Sequence, residues 1–172
     1  KLTASINLLD PNMAMGGTHQ KPVMFNQYPI ASLICYELGY PNLIRTQLPE
    51  AAFIVSLSDD GWFGHSLAMY QHVQMAQALS KQTGRYQMLA NNNGCSSLIN
   101  AQGQIINHLP AFSRGLLEGI IYPATGATPW VQTGDTWVFY IHALLLLFII
   151  GYRLILAARE KRGYSNQPSS LC

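Results

Sequence analysis

The sequence is short of charge, and this shortage sets the first limits on what the protein can be. Only 10% of its 172 residues are Asp, Glu, Lys or Arg, whereas an ordinary globular domain has about a quarter. The formal net charge is +2, so no strongly basic surface favours nucleic acid as a partner. The length is enough for one domain and a short appendage.

Cysteine and histidine are also scarce, and their spacing does not match the common metal and disulfide patterns. The three cysteines, Cys35, Cys95 and Cys172, are far apart and form no CxxC pair. The five histidines are scattered and form no HExxH motif. We therefore predict neither a zinc site nor a disulfide framework, and nothing in the sequence implies an organic cofactor.

Short apolar runs separated by polar loops fill most of the chain, a pattern that predicts an α/β layered domain. Strands are predicted at 30–34, 53–57, 86–90 and 116–122, and a β-hairpin at 97–108. An amphipathic helix is predicted between Met69 and Leu79, because apolar residues recur there at helical spacing. Pro41 suits the first position of a shorter helix over 41–50, and residues 1–28 have the composition of a loop.

The tail contains a long uncharged stretch that is also strongly apolar. No formal charge occurs between Trp137 and Tyr152, and the apolar character continues to Leu156 if Arg153 snorkels. A membrane-spanning helix needs about 20 such residues, and aromatic residues flank the stretch as they do at membrane interfaces. We predict a transmembrane helix within residues 135–158, and the alternative is a buried core helix.

Basic residues follow this predicted helix and set its expected orientation. The segment 159–172 has three basic residues at its start but only one acid, Glu160. Because positively charged flanking segments stay in the cytoplasm, residues 159–172 are expected to form a short basic and polar cytoplasmic tail. The domain predicted at 1–134 is then expected on the outer side of the inner membrane.

Cys35 is the candidate catalytic residue that the order of apolar and polar residues indicates. It ends an apolar strand and is followed by the polar pair Tyr36 and Glu37, where a buried strand would rarely continue. A cysteine at the top of a strand can project into a cleft, and its thiolate is a strong nucleophile when a base or cation stabilises it. The residues alone leave open the alternative of an inert core cysteine. Cys95, which follows an Asn-Gly turn, has the setting of a small buried residue.

Five segments, taken in order, resemble motifs of the apolipoprotein N-acyltransferases, a family within the nitrilase (carbon–nitrogen hydrolase) superfamily. Residues 34–37 are similar to the superfamily's nucleophile segment. The other segments are 58–64, similar to the family's Ser-Asn-Asp-Ala-Trp-Phe-Gly loop, 71–76, similar to Gln-His-x-x-Met-Ala, 92–94, similar to its Asn-x-Gly turn, and 126–135, similar to Gly-x-Thr-Pro-Tyr…Gly-Asp. The resemblance covers roughly residues 30–156 and includes the predicted membrane span.

The resemblance implies the C-terminal part of a nitrilase-like α-β-β-α sandwich, followed by one transmembrane helix. It also implies a Glu-Lys-Cys triad, in which the cysteine takes an acyl chain from a phospholipid ester and holds it as a thioester. The α-amine of a lipoprotein's diacylglyceryl cysteine then accepts the acyl group, and a thiolate suits both steps. The expected partners are phospholipid, the lipoprotein acceptor and the membrane. The expected location is a bacterial inner membrane, with the catalytic domain facing the periplasm.

On this resemblance Cys35 is the predicted nucleophile, and Glu37 is predicted to support it. Tyr36, Trp62 and Phe63 are predicted to bind substrate, Tyr36 in an acyl pocket and the other two as part of a lid against lipid. Each assignment has a plainer alternative. Glu37 could be a solvated carboxylate at a strand end, and the three aromatic residues could belong to the core.

The chain also departs from the family at several places. The family's catalytic lysine lies in a Lys-x-His-Leu-Val-Pro-Phe-Gly-Glu stretch before the cysteine, and neither Lys1 nor Lys21 lies in such a stretch. The base glutamate lies further upstream still, so we expect the chain to be a C-terminal piece that is inactive alone. Asp59, Trp130 and Gln132 stand where the family has Asn, Tyr and commonly Arg.

Two rival functions remain open. A soluble-type amidase of the same superfamily would hydrolyse C–N bonds and let water resolve the acyl-enzyme, although such an enzyme needs no membrane anchor. A catalytically dead, membrane-tethered module would only bind a partner.

Overall fold

One mixed sheet contains all the strands of the part of the chain that the computed structural model describes, which is residue 17 and residues 19–165. The strands are β1 (Val23–Phe25), β2 (Tyr28–Ile34), β3 (Phe53–Asp59), β4 (Gln87–Asn92), β5 (Ser96–Ile99) and β6 (Ile105–Leu109). They lie side by side in sequence order. Strands β2, β3 and β4 pair in parallel, and the outer pairs are antiparallel. The sheet therefore has a parallel centre, as the predicted α/β class requires.

Helices connect the parallel strands and follow the sheet. They are α1 (Pro41–Arg45) between β2 and β3, α2 (Ala68–Thr83) between β3 and β4, and then α3 (Pro129–Thr133) and α4 (Thr136–Ser165). The chain divides into two compact units, Lys1–Gln132 and Thr133–Cys172. The domain boundaries given above for the three segments of the chain stay predictions.

The apolar face of α2 covers one side of the sheet. Val73, Ala76 and Leu79 are buried and pack in one cluster with the sheet residues Ala31, Leu33, Ile54 and Leu89. The helix stops at Gly84, whose φ of +65° is the left-handed conformation that glycine adopts without strain. The helix predicted between Met69 and Leu79 is confirmed, and it extends to Thr83.

The opposite side of the sheet is apolar and largely open. Side chains alternate along each strand, so the paired residues Ile34 and Leu57 share one face, and Val23 lies on the same face through its pairing with Ile30. Val23, Ile34 and Leu57 are all exposed. An α-β-β-α sandwich buries this face against a second sheet, so the exposed apolar surface agrees with the predicted fold class.

The segment 116–122 is not a strand, and that prediction was wrong. It crosses the open side of the sheet instead of pairing with an edge, and Gly119 lies so close to Leu98 that a Cβ there would clash with the leucine side chain. The side-chain amide of Asn107 donates a hydrogen bond to the Glu118 carbonyl at 3.1 Å. The apolar residues of this segment therefore cover part of the sheet. A segment that covers a sheet can have the same amino-acid composition as a strand.

The other predicted elements are confirmed with changed limits, and one strand was not predicted. The three strands predicted at 30–34, 53–57 and 86–90 are β2, β3 and β4, and the hairpin is β5 and β6. The helix predicted over 41–50 ends at Arg45 and continues as turns. Strand β1 was missed among loop-forming residues. It pairs with β2 through a tight turn at Asn26, which has a φ of +52°.

Arg85 is a buried cation whose hydrogen bonds go to backbone carbonyls. Its guanidinium donates to the carbonyl oxygens of Ala51 at 2.7 Å, Pro49 at 3.1 Å and Gly126 at 2.6 Å. Loss of hydration on burial lowers the pKa of Arg85 from its usual value. The side chain ties the passage around Gly126 to the loop that precedes β3.

Replacing Arg85 by alanine is expected to lower the free energy of unfolding by about 3 kcal/mol. The change removes one charged donor from four carbonyl groups in a buried place, the three above and that of Thr83 at 3.4 Å, and the cost of leaving such groups unpaired is large. Lys81→Ala is the matched control, because Lys81 is exposed near the end of α2 and should change stability by less than about 0.5 kcal/mol. Urea denaturation followed by circular dichroism measures both, and equal effects would contradict the role given to Arg85.

Helix α4 is apolar along most of its length. Its segment Thr136–Ala157 is long and apolar enough to cross a membrane, with a mean hydropathy of 2.1, and none of that apolar window is buried. His142 satisfies its polarity locally, since Nδ1 donates to the Val138 carbonyl at 2.7 Å. The described residues thus include one candidate membrane-spanning helix, and its exposure does not fit the alternative of a buried core helix.

Candidate active site

Cys35 lies directly after β2, at the edge of the sheet where the parallel strands end. Open α/β sheets bind their ligands outside the carboxyl ends of such strands. A 3-10 turn, Cys35–Gly39, begins at this residue, whose φ is +53°. Residues other than glycine rarely adopt this left-handed conformation, because it is strained. Residues with such strain occur most often at functional sites. The thiol is free and partly exposed, so Cys35 is not a buried core residue, and its role as the nucleophile stays a prediction.

Glu37 is bound to the backbone beside Cys35. Its Oε2 accepts a hydrogen bond from the N–H of Ile34, the residue before the cysteine, at 2.7 Å. At the end of the turn the Tyr40 N–H donates to the Glu37 carbonyl at 2.9 Å. The carboxylate therefore helps to close the turn that presents Cys35, whereas its support of the chemistry stays a prediction.

The three aromatic residues predicted to bind substrate lie at the surface and not in the core. The exposed fractions are 54% for Tyr36, 82% for Trp62 and 40% for Phe63. Trp62 and Phe63 belong to a 3-10 turn, Gly61–Phe63, that follows the end of β3. Exposed apolar side chains gathered in one place mark binding surfaces. The alternative of core aromatics is thus wrong for these residues, and their binding of substrate stays a prediction.

Asp59 keeps the geometry of this turn although it replaces the asparagine of the family motif. Its Oδ1 accepts the Gly61 N–H at 2.9 Å, and the Asn92 side-chain amide donates to its Oδ2 at 3.2 Å. These hydrogen bonds, that from Gly61 above all, hold the pKa of Asp59 below its usual value. Because an asparagine oxygen would accept the same bond from Gly61, the substitution adds a charge without changing the turn.

Next to these turns lies a buried pair, Asp60 and His72. Asp60 Oδ1 is 2.7 Å from His72 Nδ1, and both side chains are inaccessible to solvent or nearly so. Ser58 Oγ donates to the same oxygen at 2.9 Å, and the side-chain amide of Asn91 donates to Oδ2. The cluster joins the ends of β3 and β4 to helix α2.

His72 also lies close to two of the predicted substrate-binding residues. Its ring centroid is 6.3 Å from that of Tyr36 and 6.5 Å from that of Phe63. Sequence reasoning did not name Asp60 or His72 as site residues, although both lie in segments that carry the family resemblance. The motifs contained the signal, but a sequence does not show that residues on a loop and on a helix meet.

The other two cysteines were not predicted to be the nucleophile. Cys95 is buried just before β5, as predicted, and Cys172 lies outside the described residues. In the part of the chain that the structure describes, no group of three or more His, Cys, Asp or Glu is placed to hold a metal ion. The structure therefore gathers Cys35, Glu37 and Tyr36 in one turn and Trp62 and Phe63 in another.

Comparison with known proteins gives this site a context. The carbon–nitrogen hydrolase family model matches residues 7–128. Among solved structures, a carbon–nitrogen hydrolase from Helicobacter pylori has a similar fold, with a TM-score of 0.52 at 13% identity over 57% of this chain and 42% of that one. At this identity the likeness concerns the fold alone.

Proteins that match this chain by sequence are more similar to it than that structure is. An apolipoprotein N-acyltransferase of Pseudomonas paraeruginosa is 34% identical over 154 residues, which are 89% of this chain and 30% of the relative. Those of Nitrosomonas europaea and Coxiella burnetii are 36% and 33% identical over 79% and 81% of this chain, and over 27% and 28% of their own lengths. This chain thus spans about 30% or less of the length of these relatives. Because the family model matches most of the chain and the sheet has the corresponding fold, the chain belongs to the carbon–nitrogen hydrolase family.

Proposed function

We propose that this chain is part of an acyltransferase that moves an acyl chain from phospholipid to the N-terminal diacylglyceryl cysteine of lipoproteins. The observation that carries the proposal is Cys35, a strained residue at the ligand-binding edge of the sheet. The reaction class comes from the relatives, which are named apolipoprotein N-acyltransferases. Lipoprotein maturation is the process in which such an enzyme acts.

The reaction has two steps, and both use the Cys35 sulfur. In the first, the sulfur attacks the carbonyl carbon of a phospholipid ester. The C–S bond forms, the ester C–O bond breaks, and the thiol proton passes through a general base to the departing oxygen, which leaves as a lysophospholipid. In the second, the lipoprotein α-amine attacks the thioester, the C–N bond forms, the C–S bond breaks, and a proton from the amine returns to the sulfur.

The other predicted site residues have different roles in the proposed reaction. Glu37 supports the nucleophile by holding the Ile34 N–H and so keeping the turn closed. Tyr36, Trp62 and Phe63 contact the acyl chains, a use that suits apolar side chains left exposed beside the nucleophile. Glu37 thus acts through the backbone, and the aromatic residues act through apolar contact.

The proposed location is the bacterial inner membrane. The apolar helix Thr136–Ala157 supports a membrane span, which we assign to residues 135–158. The basic residues that follow support a cytoplasmic position for 159–172, and the proposed periplasmic catalytic domain is then residues 1–134.

Reporter fusions test this orientation. Green fluorescent protein fused after Cys172 is expected to fluoresce, because it stays in the cytoplasm. Alkaline phosphatase, which is active only after export, is expected to be active when fused after Gln132 and inactive when fused after Cys172. Phosphatase activity at the C-terminus would contradict the orientation, and release of the chain from membranes by a carbonate wash would contradict the span.

Product analysis separates this function from its rivals. Native membranes that contain this chain joined to the preceding part of an apolipoprotein N-acyltransferase, but no other acyltransferase of this type, receive phospholipid with a labelled acyl chain and a synthetic diacylglyceryl-cysteine peptide. The same joined protein is used in every membrane assay described below. The expected result is label in an amide bond at the peptide's N-terminus. Label released only as free fatty acid would favour hydrolysis of the acyl-enzyme by water, as in an amidase. Label left on the phospholipid would favour a binding module, and either result would contradict the proposal.

A further inference from the structure

We propose that the Asp60–His72 pair is a positioning element that holds the strained turn at Cys35 in its reactive conformation. The inference rests on the proposed function, in which Cys35 is the nucleophile. It gives a role to two buried polar residues that do not themselves take part in either chemical step.

The Asp60 side chain is fully buried. A buried carboxylate is stable only when hydrogen bonds replace its lost hydration. The Asp60 oxygens accept hydrogen bonds from Ser58, His72 and Asn91. Asp60 therefore fixes the His72 ring with Nδ1 directed at the carboxylate.

The other nitrogen of the His72 ring, Nε2, makes no comparable contact within the described part of the chain. His72 Nε2 is buried and has no hydrogen-bond partner among the described residues. Because an unpaired buried polar atom is unfavourable, a ring needed only for packing would be more stable as phenylalanine. The hydrogen bond from Nδ1 to Asp60 is the feature of His72 that phenylalanine cannot supply.

Contacts of His72 and of helix α2 connect the pair to the turn at Cys35. The His72 ring lies 6.3 Å from that of Tyr36, the residue after Cys35, and helix α2 packs against the turn Cys35–Gly39. A strained φ persists only where the surroundings over-determine it. Glu37 constrains the turn through the Ile34 N–H, and His72 constrains it through Tyr36.

The consequence is a specific kinetic signature. If the pair only stabilised the fold, its loss would not change the turnover of molecules that remain folded. If it positions Cys35, its loss slows attack by the sulfur, since small misplacements of a reacting group cost up to about 100-fold in rate. Binding of the lipid, which relies on other side chains, is then much less affected.

Two substitutions of His72 separate the hydrogen bond from the ring. His72→Phe keeps a ring and removes the Nδ1 donor, whereas His72→Asn keeps a donor near the Nδ1 position and removes the ring. For acyl transfer in native membranes, His72→Phe is expected to lower kcat about 30-fold with KM within about threefold of the wild-type value. His72→Asn keeps a donor but loses the ring that contacts Tyr36, and it is expected to lower kcat by a similar factor, because the pair positions Cys35 only when the ring and its hydrogen bond are both present.

Gln77→Ala is the matched control, because it also removes one side-chain hydrogen bond from α2, the bond to the Gly103 carbonyl at 2.8 Å. It should leave kcat unchanged. Alkylation of Cys35 by iodoacetamide is a readout that needs no lipid, and its rate is expected to fall about tenfold in His72→Phe. Wild-type kcat in folded His72→Phe, or in folded His72→Asn, would overturn the inference.

Two further variants keep the test decisive. Where His72→Phe does not fold, Ser58→Ala removes a weaker donor from Asp60 and is expected to lower kcat about fivefold at unchanged KM, and an unchanged kcat would overturn the inference. Cys35→Ala distinguishes the two levels of the proposal. If that variant keeps acyl transfer, the proposed function itself fails. If it is inactive while the His72 and Ser58 variants are unimpaired, the positioning role alone fails.

Discussion

Replacing Cys35 by alanine is expected to lower acyl transfer by about 10⁴-fold or more, because the side chain proposed to form the thioester is gone. The alanine variant should still fold, since Cys35 is partly exposed and contributes little to the core. Acyl transfer to a synthetic diacylglyceryl-cysteine peptide, measured in native membranes, checks the loss.

Two other cysteine variants serve as controls for this result. Cys35→Ser is expected to be inactive as well, because a hydroxyl is far harder to ionise than a thiol in the same place. Cys95→Ser is expected to keep transfer, because Cys95 lies outside the turn that presents the nucleophile. Transfer by Cys35→Ala at more than a small fraction of the wild-type rate would refute Cys35 as the nucleophile.

The 172-residue chain assayed by itself is expected to show no turnover. It contains no counterpart of the family's lysine stretch, and the resemblance places the base glutamate upstream of that stretch. General acid–base catalysis contributes about 10²–10⁴-fold, and an oxyanion donor contributes about 10²–10³-fold. Without both groups, the thiol of Cys35 is expected to lack a proton acceptor and a positive charge beside the oxyanion of the proposed reaction.

A complementation assay measures this dependence. The chain purified in detergent is compared with the same chain joined to the preceding part of an apolipoprotein N-acyltransferase such as that of Pseudomonas paraeruginosa. The joined protein is expected to transfer acyl groups, and a joined protein with Cys35→Ala is the control. Robust turnover by the isolated chain would show that Lys21 or another of its own residues takes the role given to the missing groups.

Much of the fold was predictable because the buried strands are short, apolar and bounded by turn residues. The runs ending at Ile34 and Leu57 could be assigned as strands, and the helical spacing from Met69 to Leu79 identified α2. The segment 116–122 misled this reasoning, since residues that cover a sheet have the same composition as residues that extend it. The apolar helix Thr136–Ala157 was the clearest signal, because its length and its scarcity of charge, with Arg153 as its one formally charged residue, do not depend on tertiary contacts.

The candidate site was predictable only in part, and for a different reason. Cys35 could be chosen from its place at the end of a strand and from the family resemblance, but its positive φ depends on the turn that Glu37 closes. The pairing of Asp60 with His72 is a tertiary contact between a loop and a helix. Spacing along the chain carries no information about such a contact, and so this pair emerged only from the structure.

The measurement that tests the central claim most directly is mass spectrometry of the trapped acyl-enzyme. Native membranes are incubated with phospholipid and no amine acceptor, so that the thioester accumulates, and the protein is then digested at mildly acidic pH. The account predicts one added acyl mass on the peptide that contains Cys35, present in Cys95→Ser and Cys172→Ser and absent in Cys35→Ala. An acyl mass on the peptide that contains Cys95, or acyl transfer without any mass on Cys35, would contradict it.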